Sequence, residues 1–142
     1  MIIQIHSFSD QDKLFKEAMK IRFKVFVEEQ NVDKNLEYDG LDFEAIHFII
    51  IVDDKPIATA RYRETEEGIK IERMAVLKEY RNSAYGHLLL RHILNDVKPA
   101  KQKIYLSAQE TAVNFYKTKG FKIEGKEFYE ANIKHYKMTY LK

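Results

Sequence analysis

The chain has 142 residues, the size of one ordinary domain, so its sequence calls for one core and one site. Its 45% hydrophobic and 32% charged residues exclude a disordered chain, and a net charge of only +2, with lysines and acids interspersed, argues against a nucleic-acid-binding face. There is no cysteine, which removes disulfides, thiolate metal sites and a cysteine nucleophile. No apolar run approaches the roughly 20 residues that cross a bilayer, so the expectation is a cytoplasmic protein with no membrane partner and no bound metal.

The opening Met1-Ile2-Ile3-Gln4-Ile5-His6 lacks a basic region before a long apolar stretch. It reads as a first strand, Ile2 to Ile5, rather than a signal peptide. Ser9 or Asp10 is placed to cap a helix whose apolar positions Leu14, Phe15, Ala18, Met19, Ile21, Val25 and Phe26 recur at helical spacing. Residues 31–44 are acidic and irregular. Ala45 to Val52 is nearly continuous apolar sequence ending in the β-branched run Ile49-Ile50-Ile51-Val52, as in a central strand. A turn at Asp53-Asp54-Lys55, a strand from Pro56 through Ile57 to Glu64, a turn at Glu66-Glu67-Gly68 and a strand from Ile69 to Val76 complete an antiparallel meander.

The pattern then changes. Tyr85 to Asn95 is helical, Ile104 to Ala108 extended, Glu110 to Lys119 helical and closed by Gly120, Phe121 to Glu124 extended, and Lys134 to Leu141 a last strand. A meander that runs into a βαβ unit predicts an α+β fold with a mixed, twisted sheet and helices on both faces, in one domain over residues 1–142. An exposed last strand would allow pairing across a homodimer.

The stretch from Met74-Ala75-Val76 to Leu88 is the most informative. A strand ends at Val76 and a helix starts near Ser83, so free N–H groups and the positive helix end point one way, as a pyrophosphate requires. Ala84 and Gly86 let an anion approach, Arg81 adds a cation, Asn82 or Ser83 is placed as the cap, and Lys78 or His87 is placed for a further phosphate.

Arg81-Asn82-Ser83-Ala84-Tyr85-Gly86 resembles the phosphate-binding turn of the GNAT acetyltransferases, with Ala84 where that family usually has Gly. Downstream, Leu106-Ser107-Ala108-Gln109 followed by Asn114-Phe115-Tyr116-Lys117-Thr118-Lys119-Gly120-Phe121 is similar to the family's next strand and helix. Arg22 to Gln30 with Glu37-Tyr38-Asp39-Gly40-Leu41-Asp42 resembles its ElaA-like and YjcF-like branch. The resemblance implies the GNAT acyl-CoA N-acyltransferase fold, with acetyl-coenzyme A as co-substrate in a V-shaped opening between two parallel strands, and a small-molecule or protein amine as acceptor.

In such a reaction coenzyme A leaves as a thiolate, whose reference pKa of about 8.5 makes an acid useful. Tyr116 is the candidate acid. Asn114 is placed for the pantetheine arm, and backbone groups of Met74 and Val76 for the thioester and amides. A protonated acceptor amine also needs a base, for which Glu72, acting through water, comes first and His47 and His135 second. A lone His in an apolar strand is more often a satisfied core residue. Glu37, Asp39 and Asp42 would form an anionic wall for a cationic acceptor; alternatively Arg22 pairs with Glu37 or Asp39 and pins the loop, and the two readings are compatible.

Two other functions are open on the same residues. Arg22, Val25-Phe26 and Glu-x-Asp-x-x-Asp are also similar to acyl-homoserine lactone synthases, which are generally longer and do not depend on a well-formed coenzyme A turn. A non-catalytic acyl-coenzyme A binding or sensing domain would keep the cofactor site without turnover.

Overall fold

Strands β1 (Ile3–Phe8), β2 (Ile46–Val52), β3 (Lys55–Glu64) and β4 (Ile69–Val76) pair antiparallel in sequence order. Asp53 and Asp54 turn β2 into β3 with φ values of +47° and +69°, which short polar side chains tolerate. β5 (Ile104–Gln109) follows β4 in parallel, and β8 (Ile133–Tyr140) pairs antiparallel with β5. β6 (Phe121–Ile123) and β7 (Phe128–Glu130) both lie against β8. The computed structural model describes residues 1–141 of the chain and shows these strands as one eight-stranded mixed sheet.

Helices cover both faces, so the α+β, α/β/α expectation holds. On one face α3 (Tyr85–Val97) and α4 (Val113–Thr118) bury Leu89, Leu90, Ile93 and Tyr116 against Ile69, Ile71, Leu106 and Met138. On the other, α1 (Leu14–Arg22) packs Ala18 and Ile21 against Ile49 and Ala75. The amphipathic stripe read from the sequence is therefore core, and burying such faces is the main source of the fold's stability.

Several local expectations are corrected. Strand β1 runs to Phe8, because Phe8 reaches the α1-side core. The first helix begins at Leu14, where the Asp12 carboxylate accepts the Leu14 N–H at 2.8 Å, while Ser9 instead closes the preceding turn. At Phe23 the helix widens into a π-helical segment, Phe23–Glu29. The acidic stretch contains a short helix α2 (Lys34–Glu37), capped by Asp33. The helix expected from Glu110 opens as a 3-10 turn before α4, and the last strand gains a hairpin partner, β7.

The βαβ unit is paired at one end only. Parallel register between β4 and β5 covers Ile69↔Ile104, Lys70↔Tyr105 and Ile71↔Leu106 and then stops. At the closed end Ile69 N–H donates to the Lys103 carbonyl at 2.8 Å, and a Cβ on Gly68 (φ +146°) would sit 2.3 Å from that same oxygen. At the other end the β3–β4 register shifts by one residue between Thr59 and Arg61, and Arg73 takes φ +57°. This bulge bends β4 away from β5.

Candidate active site

Where β4 and β5 part, a cavity of about 730 Å³ opens. Glu72, Met74, Ala75 and Val76 line it from β4, Ser107 and Gln109 from β5, Tyr116 from α4 and His135 from β8. A second cavity of about 440 Å³ lies at the start of α3, and Val76, Arg81, Gly86 and Phe115 border both, so the helix end and the slot adjoin.

Tyr116 is 8% exposed, and its ring packs edge-on against Phe115 and Phe121. Its hydroxyl donates to Met74 Sδ at 3.5 Å, a weak acceptor. Burial pushes its pKa up, which holds the phenol protonated. Met74 and Ala75 stand on the slot's edge as the sequence suggested, whereas the Val76 carbonyl is already taken by Arg81 Nε at 2.8 Å.

At the phosphate turn α3 starts at Tyr85, with Ala84 (φ −82°) as its cap residue and no side-chain cap, so neither Asn82 nor Ser83 fills that role. Asn82 instead adopts φ +60°. The first intrahelical bond runs from Leu88 N–H to the Ala84 carbonyl at 2.9 Å, and the N–H groups before it lack partners within the helix. Asn82, Ser83, Ala84, Gly86 and His87 line the smaller cavity, where His87 Nδ1 is buried without a hydrogen bond. A Cβ on Gly86 would meet Phe115 at an ordinary 3.5 Å, so the fold itself does not demand glycine there.

Arg81, the cation read at this turn, is held by an acidic partner. Both terminal nitrogens clasp the Glu29 carboxylate at 2.9 Å, tying the turn to the π-helical segment. Lys119 also lines the smaller cavity, with its ammonium 5.6 Å from the centre of the Phe115 ring. Tyr85 packs on Tyr80 and donates to Met1 Sδ, and Asn114 is exposed on α4; neither lines either of these two cavities.

The carboxylates of the acidic loop are paired with arginines, including the Arg22–Glu37 pair that the sequence suggested. Arg22 Nε donates to Glu37 at 2.6 Å and its Nη1 to Asp42 at 2.7 Å, while Arg61 reaches Asp39 at 2.7 Å, Asp42 at 2.6 Å and Glu72 at 3.1 Å. Arg22 and Arg61 are 1% and 0% exposed. Burying such charges is tolerable only because each is paired and hydrogen-bonded. Burial outweighs the arginines at Glu37, whose pKa is raised; at Asp39 burial is overcome by Arg61, the Leu41 N–H and Arg73, which lower it to about 2.

Glu72, the expected base, lies on the cavity wall but is held by Arg63 at 2.6 Å, by Arg61, and by Lys70 at 3.4 Å. Burial favours its neutral form, yet these cations overcome it and hold the carboxyl below its usual range. A carboxylate so neutralised is a poor proton acceptor and a good brace for the bulge.

The two histidines separate. His47 is 1% exposed, its Nε2 bonds the Asp42 carbonyl at 3.0 Å, and it packs between Phe8 and Phe15, so it is a satisfied core residue away from the cavity. His135 lines the cavity, stacks on Phe128, and places Nδ1 2.7 Å from the Ile133 carbonyl.

Sequence reasoning missed the Arg73 bulge, since nothing marks Arg for a left-handed backbone, and the Gln109–Gln30 hydrogen bond at 2.8 Å that spans the slot's mouth. The β7–β8 hairpin was findable: Ala131-Asn132 sits between alternating segments and turns with two positive φ values.

The parallel strands of the mixed sheet thus part beside the N-terminus of α3. Residues 6–142 match the acetyltransferase (GNAT) domain family, and the chain belongs to it. It is 33% identical over 129 residues to the uncharacterized N-acetyltransferase YjcF of Bacillus subtilis (strain 168), covering 89% of this chain and 92% of that one. Escherichia coli ElaA superposes with a TM-score of 0.89 at 24% identity, over 99% of this chain and 100% of that one, so the chain falls in the YjcF and ElaA branch. PaiA N-acetyltransferase from Thermoplasma acidophilum, solved in complex with coenzyme A, superposes with a TM-score of 0.71 at 15% identity, over 99% of each chain.

Proposed function

We propose that this GNAT acyltransferase is an N-acetyltransferase that moves acetyl from acetyl-coenzyme A to a small-molecule or protein amine by direct attack on the thioester. The observation that supports it most is that the α3 N-terminus, with its unbonded His87 Nδ1, adjoins the slot that Tyr116 lines at the parted strands. The diphosphate would lie on the helix N–H groups and the thioester in the slot beside Met74. Tyr116, held protonated by burial, would give its proton to the departing sulfur.

The test has two arms. Acetyl-coenzyme A is expected to raise the Tm, and Gly86→Leu to remove that rise. A variant that keeps the full rise sinks the phosphate-turn assignment. An amine panel read by free thiol is expected to find an acceptor; cofactor binding with no turnover on any amine would favour the binding-only reading.

A further inference from the structure

We infer that His135 is the general base of this acyl transfer and works from the face of the sheet opposite Tyr116; the inference rests on the acyltransferase reading above. Cross-strand register pairs Ser107 with Lys137 and Gln109 with His135, so by strand alternation His135 shares the face of Ser107 and Gln109. Gln109 bonds Gln30 at the end of the π-helical segment, which identifies that face as the α1 side. Tyr116 belongs to α4 and packs into the core on the other face. Both side chains reach the one cavity where β4 and β5 part, so an acyl group in the slot is flanked by the two.

The ring is built for the task. A carbonyl only accepts, so the contact to Ile133 at 2.7 Å puts the hydrogen of the neutral ring on Nδ1 and leaves Nε2 with the lone pair. The Phe128 stack and 8% exposure hold the ring in place. The charged groups around it are already engaged or turned outward. Lys134 pairs with Glu110 and Glu127, Lys137 with Glu67 and Glu124, Lys70 with Glu72 across the slot, and Glu130 is exposed at the end of β7. The rival bases lack this freedom: Glu72 is held by three cations, and His47 is bonded in the core.

The acceptor arrives as an ammonium, and Nε2 takes one proton to leave a free amine. Its lone pair forms the C–N bond at the thioester carbon, and the C–S bond then breaks. Tyr116 protonates the sulfur and recovers a proton from the nitrogen, while His135 releases its proton to solvent. An ammonium and a thioester become an amide, a free thiol and one proton.

Bromoacetyl-coenzyme A tests the placement, because the carbon next to its thioester carbonyl carries a bromide that a nearby nitrogen displaces. Incubation of the whole protein and peptide mass spectrometry are expected to find the adduct on His135, with acetyl-coenzyme A protecting. His135→Gln is expected to lose the adduct and keep the acetyl-coenzyme A-induced Tm rise. An unlabelled His135 in protein whose Tm still rises overturns this inference, whereas absence of the Tm rise in the unmodified protein overturns the cofactor reading instead. With the best alkylamine of the panel, His135→Gln should lose about 10²-fold in kcat/KM at neutral pH, and much less with hydroxylamine, which is already neutral there. Equal losses on the two acceptors would mean a structural role and overturn it.

Discussion

The two ends of the β4–β5 pair are held by different physics. At the closed end the strands touch: Ile69 bonds the Lys103 carbonyl, and Gly68 has no side chain because none would fit. At the open end no backbone ladder joins them, and the bulged β4 is braced by Arg61, Arg63 and Lys70 on Glu72, with Arg73 on Glu37 and Asp39. Backbone hydrogen bonds close a sheet, and only side chains can stabilise a place where it is kept apart.

The largest effect should come from breaking the brace. Arg61→Leu leaves Asp39, Asp42 and Glu72 without their shared cation and is expected to cost about 3–5 kcal/mol in urea unfolding. A loss under about 1 kcal/mol, the scale of surface pairs, would show that the open end does not depend on it. Tyr116→Phe should separate chemistry from fold at the same end. Its hydroxyl has only the Met74 sulfur as partner, so stability should scarcely change while kcat falls by about 10²-fold. Unchanged turnover would remove Tyr116 from the mechanism.

At the closed end Gly68→Ala pushes a Cβ into the Lys103 carbonyl and should cost about 1–3 kcal/mol. Acid should act on the carboxylates that buried arginines hold at the open end. The Asp39 carboxyl is lowered from 3.8 to about 2 because Arg61, the Leu41 N–H and Arg73 outweigh burial. Its stabilisation is complete above 3.8 and is lost as pH falls toward about 2; Asp42 and Glu72 shift the same way and Glu37 the opposite way. The urea midpoint should therefore drop across that window, and Asp39→Asn should flatten the drop. The smallest effect is expected in the hairpin beside His135, where Ala131 sits at φ +51°: Ala131→Gly should relieve the left-handed strain and change stability by no more than about 1 kcal/mol. A large loss there would mean that Ala131 packs against the cavity wall.

Local periodicity determined a good deal of this protein. The β-branched run at 49–52, the helical stripe of α1, the strand, helix and glycine of 104–120 and the turn ahead of Gly86 each carry their signal within a few residues, so element order, the mixed sheet and the position of Tyr116 were legible. Only the tertiary structure decided how the charges are used. The Arg22–Glu37 pair was suggested by the sequence, but Arg22 also finds Asp42 from twenty residues away, Arg61 finds Asp39 from twenty-two, and Arg81 finds Glu29 from fifty-two. The same folding clasped Glu72 among three cations, put His47 in the core and His135 at the slot, and parted two strands at a bulge whose left-handed residue is an arginine. Ion pairing and strand separation depend on which distant groups meet in a low-dielectric interior, and a one-dimensional pattern does not contain that distance.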